Sequence, residues 1–148
     1  MSNIHVFSEI GELKKVLLCR PGEELLQIHP FYLNEMCFQD TPYLKVAQKE
    51  HDEFATVLKR LGVVTFDVRA LFTEAMAHDD ARSRFIAEFI QASHIISAEL
   101  EHRVTEYYMT LSLTEFVRTI FCGIRSDNPF FTKDMSLGTI SSKDDLFI

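Results

Sequence analysis

The chain has 148 residues, 47% of them hydrophobic and 25% charged, with a formal net charge of -7. That composition belongs to a folded globular domain and excludes a disordered chain, and the acidic balance without a basic stripe excludes nucleic acid as a natural partner. No apolar run approaches the roughly 18 residues of a membrane span, and Met1 to Phe7 lacks the basic-then-apolar order of a secretory signal, so the expected address is the cytoplasm with no membrane partner.

The first half reads as α/β. Ile4 to Phe7 is a candidate short strand, and Glu9-Ile10-Gly11 a turn. Val16 to Cys19 is a short apolar run closed by Arg20-Pro21-Gly22, which predicts a buried strand entering a loop. Residues 23 to 41 show no sustained period. Thr41-Pro42 has the form of an N-cap followed by proline at the first helical position. Leu44, Ala47, His51, Phe54, Ala55, Leu58 and Leu61 then recur at helical spacing, and Gly62 stands where a left-handed cap would close the helix. Val63 to Val68 is rich in β-branched residues and predicts the next strand.

The second half predicts helices alone from Asp79 to Gly123. Asp79 is a candidate cap for a helix carrying Phe85, Ile86, Phe89 and Ile90. Ser97 is a candidate cap for one carrying Leu100, Val104, Tyr107 and Tyr108. Ser112 with Glu115 forms a capping box ahead of Val117, Ile120 and Phe121, and Gly123 ends that helix. Residues 125 to 142 read as loop, and Asp145 to Ile148 as the start of a strand. The expected division is an α/β unit over 1–74, a helical unit over 75–123, and loop plus return strand over 124–148.

The small sheet poses a physical difficulty. Two or three strands beside one helix leave both edges and one face open, and sheets that small are marginal alone. The pattern therefore suggests an incomplete α/β part or self-association through the open edges around Val16 to Cys19 or Val63 to Val68.

Cys19, Cys37 and Cys122 are odd in number and have no Cys-x-x-Cys spacing. They read as free thiols, neither a disulfide framework nor a zinc site. The six histidines form no His-x-x-x-His pair, so no metal is expected. His51 and Asp52 sit side by side, but successive helical residues point apart, so His51 reads as a packed helix residue.

Three stretches carry a family resemblance. Ile4 to Gly22 (IHVFSEIGELKKVLLCRPG) and Phe38 to Phe54 (FQDTPYLKVAQKEHDEF) resemble the opening of arginine deiminases. Arg82 to Gly123 is similar, less specifically, to that family's inserted helical domain. The resemblance implies a partial α/β-propeller: the first strand-helix-strand blade of a guanidino-modifying enzyme fold, followed by a small helical bundle. It implies hydrolysis of L-arginine to citrulline and ammonia through a cysteine thiolate that attacks the guanidinium carbon. A histidine serves as acid and base, carboxylates hold the guanidinium, and no cofactor takes part.

The family places its nucleophile in a Gly-Pro-Arg-Cys-Met-Ser type of segment, which does not occur in this chain. The resemblance therefore implies no catalytic residue here and no activity of the chain alone, with L-arginine a ligand only of a complete enzyme. Asn34 to Asp40 is similar to a loop over the family's active site, which implies that the backbone carbonyl of Cys37 receives the substrate's amino group. The alternative is an exposed loop in which Asp40 merely favours the positive end of the next helix. Asn128 to Asp134 has the spacing of the family's Asn-x-x-Phe-Thr-Arg-Asp, which implies substrate contacts from Asn128, Phe131 and Asp134. The alternative is a chance match in a variable loop, since the linker from Gly123 is short and Leu146-Phe147-Ile148 resembles the residues just before the family's motif. The expected partners are a second copy or a complementary C-terminal chain. A non-catalytic module that binds a partner or itself is the competing function.

Overall fold

The computed structural model describes residues 6, 8–28, 31, 33–34, 37–93, 95, 97–124 and 128–132. It is a mixed, mostly helical fold with one two-stranded parallel sheet. Strand β1 (Lys15–Leu18) leads through a 3-10 helix (Glu23–Gln27) to helix α1 (Leu44–Arg60), and strand β2 (Val64–Asp67) returns beside β1. The register pairs Val16 with Thr65 and Leu17 with Phe66. Two parallel strands need a crossover, and α1 is that crossover. The expected strands at Ile4 to Phe7 and Asp145 to Ile148 fall, apart from Val6, outside the described residues.

Local chemistry sets the element ends, with several departures from the sequence reading. The Val16 to Cys19 run is not a buried strand: it shifts to Lys15–Leu18, alternates exposed and half-buried positions, and leaves Cys19 exposed. One face of the sheet has no covering layer among the described residues, so only alternate side chains gain shelter. Helix α1 starts at Leu44, not after Thr41, because Tyr43 is the cap position and no side chain caps it. The Asp40 carboxylate instead takes the Thr41 amide at 2.7 Å. Gly62 closes α1 at φ 82°, the left-handed conformation that glycine adopts at least cost.

Strand β2 ends at Asp67, one residue before the expected limit. The Asp67 carboxylate accepts the Ala70 amide at 2.9 Å and starts helix α2 (Val68–Met76), an element the periodicity did not reveal. Helices α3 (Asp79–Ala92), α4 (Ala98–Thr110) and α5 (Leu113–Cys122) follow. His78, not Asp79, is the cap position of α3, and Asp79 and Asp80 lie in its first turn, where acids favour the helix dipole. Ser97 caps α4, and Ser112 with Glu115 forms the reciprocal capping box of α5. Gly123 ends α5 at φ 76°. A short helix α6 (Pro129–Thr132) interrupts the expected loop.

The core lies almost wholly among the helices. Met76, Ile86, Ile90, Val104, Tyr108, Phe116, Val117, Ile124 and Phe131 are buried together, drawn from α2 to α6. The Phe72, Phe85, Phe89, Tyr108 and Phe116 rings meet largely edge to face at 5.0–6.3 Å. Arg82 donates from Nη2 to the carbonyls of Tyr108 and Leu111, both at 2.7 Å, and lies 4.5 Å over the Phe116 ring. It thereby satisfies the C-terminal end of α4. By contrast, Val63 and Ile28 are the only described residues outside this cluster that are buried and apolar.

The two halves meet at a charged joint on the 3-10 helix. Glu24 pairs with Arg69 of α2, whose guanidinium lies 4.5 Å over Phe121 of α5. Glu23 accepts from Arg118 of α5 at 2.6–2.8 Å. A Cβ on Gly22 would stand 2.5 Å from Arg69 Nη2, so only glycine leaves the guanidinium its seat. Partial burial pushes the Glu24 carboxyl up, but the Arg69 hydrogen bond, the amides of Glu24 and Gly22 and the Arg69 charge together outweigh it. The net displacement is below the ordinary value.

Two stability outcomes follow. Phe116→Ala should cost about 3–5 kcal/mol by urea unfolding, because a fully enclosed ring leaves a cavity. Tyr108→Phe should cost nothing, since the buried Tyr108 hydroxyl has no hydrogen-bond partner among the described residues. A lowered Glu24 value contributes stability above the unfolded carboxylate value of about 4.3, and that contribution is lost as pH falls through the folded value. The stability gap between the native chain and Glu24→Gln should therefore narrow between about pH 6 and about pH 3; a gap that widens on acidification would contradict the joint.

Candidate functional site

Three of the four sequence-predicted site residues are described, and they occupy different surroundings. Cys37 lies in a tight turn, its amide donating to the Asn34 carbonyl at 3.3 Å while Phe38 donates to the Leu33 carbonyl at 2.8 Å. Its φ of 59° makes it the one positive-φ residue other than glycine among the described residues. A non-glycine residue held there costs of order 1–3 kcal/mol and persists only where the surroundings impose it. The thiol is exposed, as are Gln39 and Asp40.

Asn128 and Phe131 are committed to packing. The Asn128 side-chain amide donates to the Tyr107 hydroxyl at 2.8 Å, and its carbonyl oxygen accepts the Phe130 amide at 2.9 Å. Asn128 thus starts α6 in the manner of a helix cap. Phe131 is buried against Tyr107 and Phe130 at 5.2–5.3 Å, with Arg103 at 5.8 Å from its ring. Arg103 also donates to the Phe130 carbonyl at 2.9 Å and pins α6 to α4. Asn128 lines a cleft of about 300 Å³ with Gln27, Tyr107, Arg118 and Cys122, and neither Cys37 nor Phe131 lines it. Asp134 lies outside the described residues.

The remaining chemistry-bearing side chains are engaged elsewhere. Cys122 closes α5 half-buried, and burial, foremost, pushes its thiol up, away from thiolate character. The Asp52 carboxylate is held by Arg20, which donates from Nε at 2.8 Å and Nη2 at 2.9 Å. That hydrogen bond, foremost, lowers the Asp52 value. His51 Nδ1 stays 3.7 Å from Asp52, beyond hydrogen-bond reach, so the neighbouring pair is not an acid/base dyad. Among the described residues no group of three or more His, Cys, Asp or Glu is placed to hold a metal. No described helix is long and apolar enough to cross a membrane.

The residues that join the two halves were missed by sequence reasoning. Glu23, Glu24, Arg69 and Arg118 carry no motif, and their partners lie 45 and 95 residues apart in the chain. Asp67 was within reach, because an acid three residues before Ala70 is a local cap signal.

Comparison with known proteins bears on this arrangement directly. The arginine deiminase family matches residues 34–147. The arginine deiminase of Latilactobacillus sakei is 38% identical over 144 residues, covering 97% of this chain and 35% of the relative. That of Borrelia duttonii is 36% identical over 138 residues, covering 93% of this chain and 34% of the relative. That of Staphylococcus aureus strain Newman is 43% identical over 124 residues, covering 84% of this chain and 30% of the relative. The chain spans about a third of the length of these curated relatives. With a turn at Cys37 and a helical half that fall inside the matched residues, this chain belongs to the arginine deiminase family.

Proposed function

We propose that the chain forms the first strand-helix-strand blade (residues 1–74) and the inserted helical part (residues 75–123) of an arginine deiminase fold. Arginine hydrolysis then arises only together with segments that supply the cysteine nucleophile, its histidine and the remaining carboxylate. The observation that carries this reading is the half-covered sheet. Helix α1 packs on one face of β1 and β2, while Leu17, Val64 and Phe66 stand exposed on the other. A sheet of two four-residue strands with an open apolar face requires further strands or another layer.

In this reading the Cys37 carbonyl receives the substrate's amino group. The positive φ at Cys37 supports that role, because it turns the peptide units on either side away from the direction an extended residue would give them. Asn128 and Phe131 act in packing α6 against α4, and any substrate contact from Asn128 requires release of Tyr107. The three cysteines of this chain lie in an exposed post-strand position, a turn and a helix end, and none has the family's nucleophile context. Chemistry at pH 7 needs a thiolate with a paired base.

The purified chain should form no citrulline from L-arginine in a colorimetric assay. Production above buffer that disappears on replacing any one of Cys19, Cys37 or Cys122 would overturn the reading. Co-expression with the C-terminal two-thirds of a relative should restore citrulline formation. Complete failure of that complementation, with both pieces folded, favours the second reading, a non-catalytic self-associating module. The exposed apolar surface of the α/β half is the observation that supports this alternative.

A further inference from the structure

The cleft beside Asn128 gathers four hydrogen-bond donors from three elements. The 3-10 helix supplies the Gln27 side-chain amide, α4 the Tyr107 hydroxyl, and α5 the Arg118 guanidinium and the Thr119 hydroxyl. No Asp or Glu lines it, in a chain whose formal charge is -7. Its volume of about 300 Å³ stands at the lower end of the range for small-molecule pockets.

The hydrogen-bond sense at Tyr107 is fixed by its neighbour. Asn128 Oδ1 accepts the Phe130 amide at 2.9 Å, so the opposite end of that side chain is the amide nitrogen. That nitrogen donates to the Tyr107 oxygen at 2.8 Å. The Tyr107 oxygen is the acceptor in this contact, and its own proton remains to be donated. Thr56, Thr73 and Thr105 each give their hydroxyl to the carbonyl four residues back. The Thr119 hydroxyl and the Gln27 side-chain amide have no hydrogen-bond partner among the described residues. Arg118 meets a single oxygen of Glu23 with both Nε, at 2.8 Å, and Nη2, at 2.6 Å, which leaves Nη1 to spare. The Tyr107 hydroxyl and the Cys122 thiol lie close enough to Arg118 to favour its charge.

We propose that this cleft binds a short-chain monocarboxylate, its carboxylate received by Arg118, Thr119, Tyr107 and Gln27 and its chain laid against Ile124 and Cys122. A guanidinium flanked by neutral N–H and O–H donors is what a carboxylate requires. Charge selects a monoanion over a phosphate dianion. The one guanidinium is already shared with Glu23, and the cleft lies beside the C-terminal, negative end of the α5 dipole. A second negative charge there has nothing to compensate it. The bound carboxylate bridges the 3-10 helix to α4 and α5, and so adds a tie across the joint between the two halves. The inference rests on this cleft alone and does not depend on arginine chemistry.

Cys122 reports on occupancy, because its side chain lines the cleft while Cys19 and Cys37 lie outside it and exposed. The test is alkylation of the full chain by iodoacetamide, followed at each cysteine by peptide mass spectrometry, with butyrate, phosphate or chloride added at equal ionic strength. Butyrate should slow the reaction at Cys122 saturably, by about threefold or more, and leave Cys19 and Cys37 unchanged. Thr119→Val keeps the Glu23–Arg118 pair and should weaken butyrate binding about threefold or more, and Arg118→Gln should weaken it further, each with a native circular dichroism spectrum. Absence of protection at Cys122, or equal protection of all three cysteines, overturns the proposal. Equal protection by chloride reduces the effect to salt screening and does the same. Equal protection by phosphate refutes the monocarboxylate class, and native protection in Thr119→Val refutes the seat.

Discussion

The Arg69 guanidinium holds three parts of the chain at one point. It faces Glu24 on the 3-10 helix, belongs to α2, and lies over Phe121 of α5. Burial works against the charged form of Arg69, and the Glu24 hydrogen bond and charge more than restore it. A partly buried pair of this kind is costly to break singly, because the partner left behind remains desolvated. The attitude of the α/β half against the helical half therefore depends on this joint, with the more exposed Glu23–Arg118 pair beside it contributing less. Gly22 belongs to the same device, since any side chain there would displace the guanidinium.

The two halves differ in how they are stabilised. The helical half encloses Ile86, Val104, Tyr108 and Phe116 completely, at the density that makes a cavity expensive. Among the described residues the α/β half has no comparable centre. Its helix and strands share alternately half-buried side chains, and the specific polar ties Arg20–Asp52 and Gln48 to the Pro21 carbonyl at 3.0 Å fasten α1 to the exit of β1. The first of these is exposed and contributes modestly. An α/β half built in this way gains most from whatever covers its remaining apolar surface, be it more strands of a larger fold or a second copy.

Membership of the arginine deiminase family gives the open surface a context. On the reading proposed above the α/β half is one unit of a larger repeated fold, and such a unit on its own exposes the faces that its neighbours would cover. The Cys37 turn has the opposite character: its strain is local and is expressed at an exposed position.

Much of the local architecture was legible from residues close in the chain. Ser97 caps α4, Ser112 and Glu115 close their reciprocal box, and Gly62 and Gly123 end α1 and α5, all through contacts spanning three or four residues. The family resemblance was legible for a similar reason, since it rests on ungapped runs such as Phe38 to Phe54. Tertiary structure alone decided that Phe131 is core, that Asn128 is tied to Tyr107, and that Asp52 belongs to Arg20 and not to His51. It also decided which side of α1 the sheet covers, leaving Phe54 outward although it shares the helical spacing of the buried positions. Spacing in a sequence defines a face of a helix, but burial depends on what distant segments bring against that face, and ion pairs between residues 45 and 95 positions apart leave no local trace.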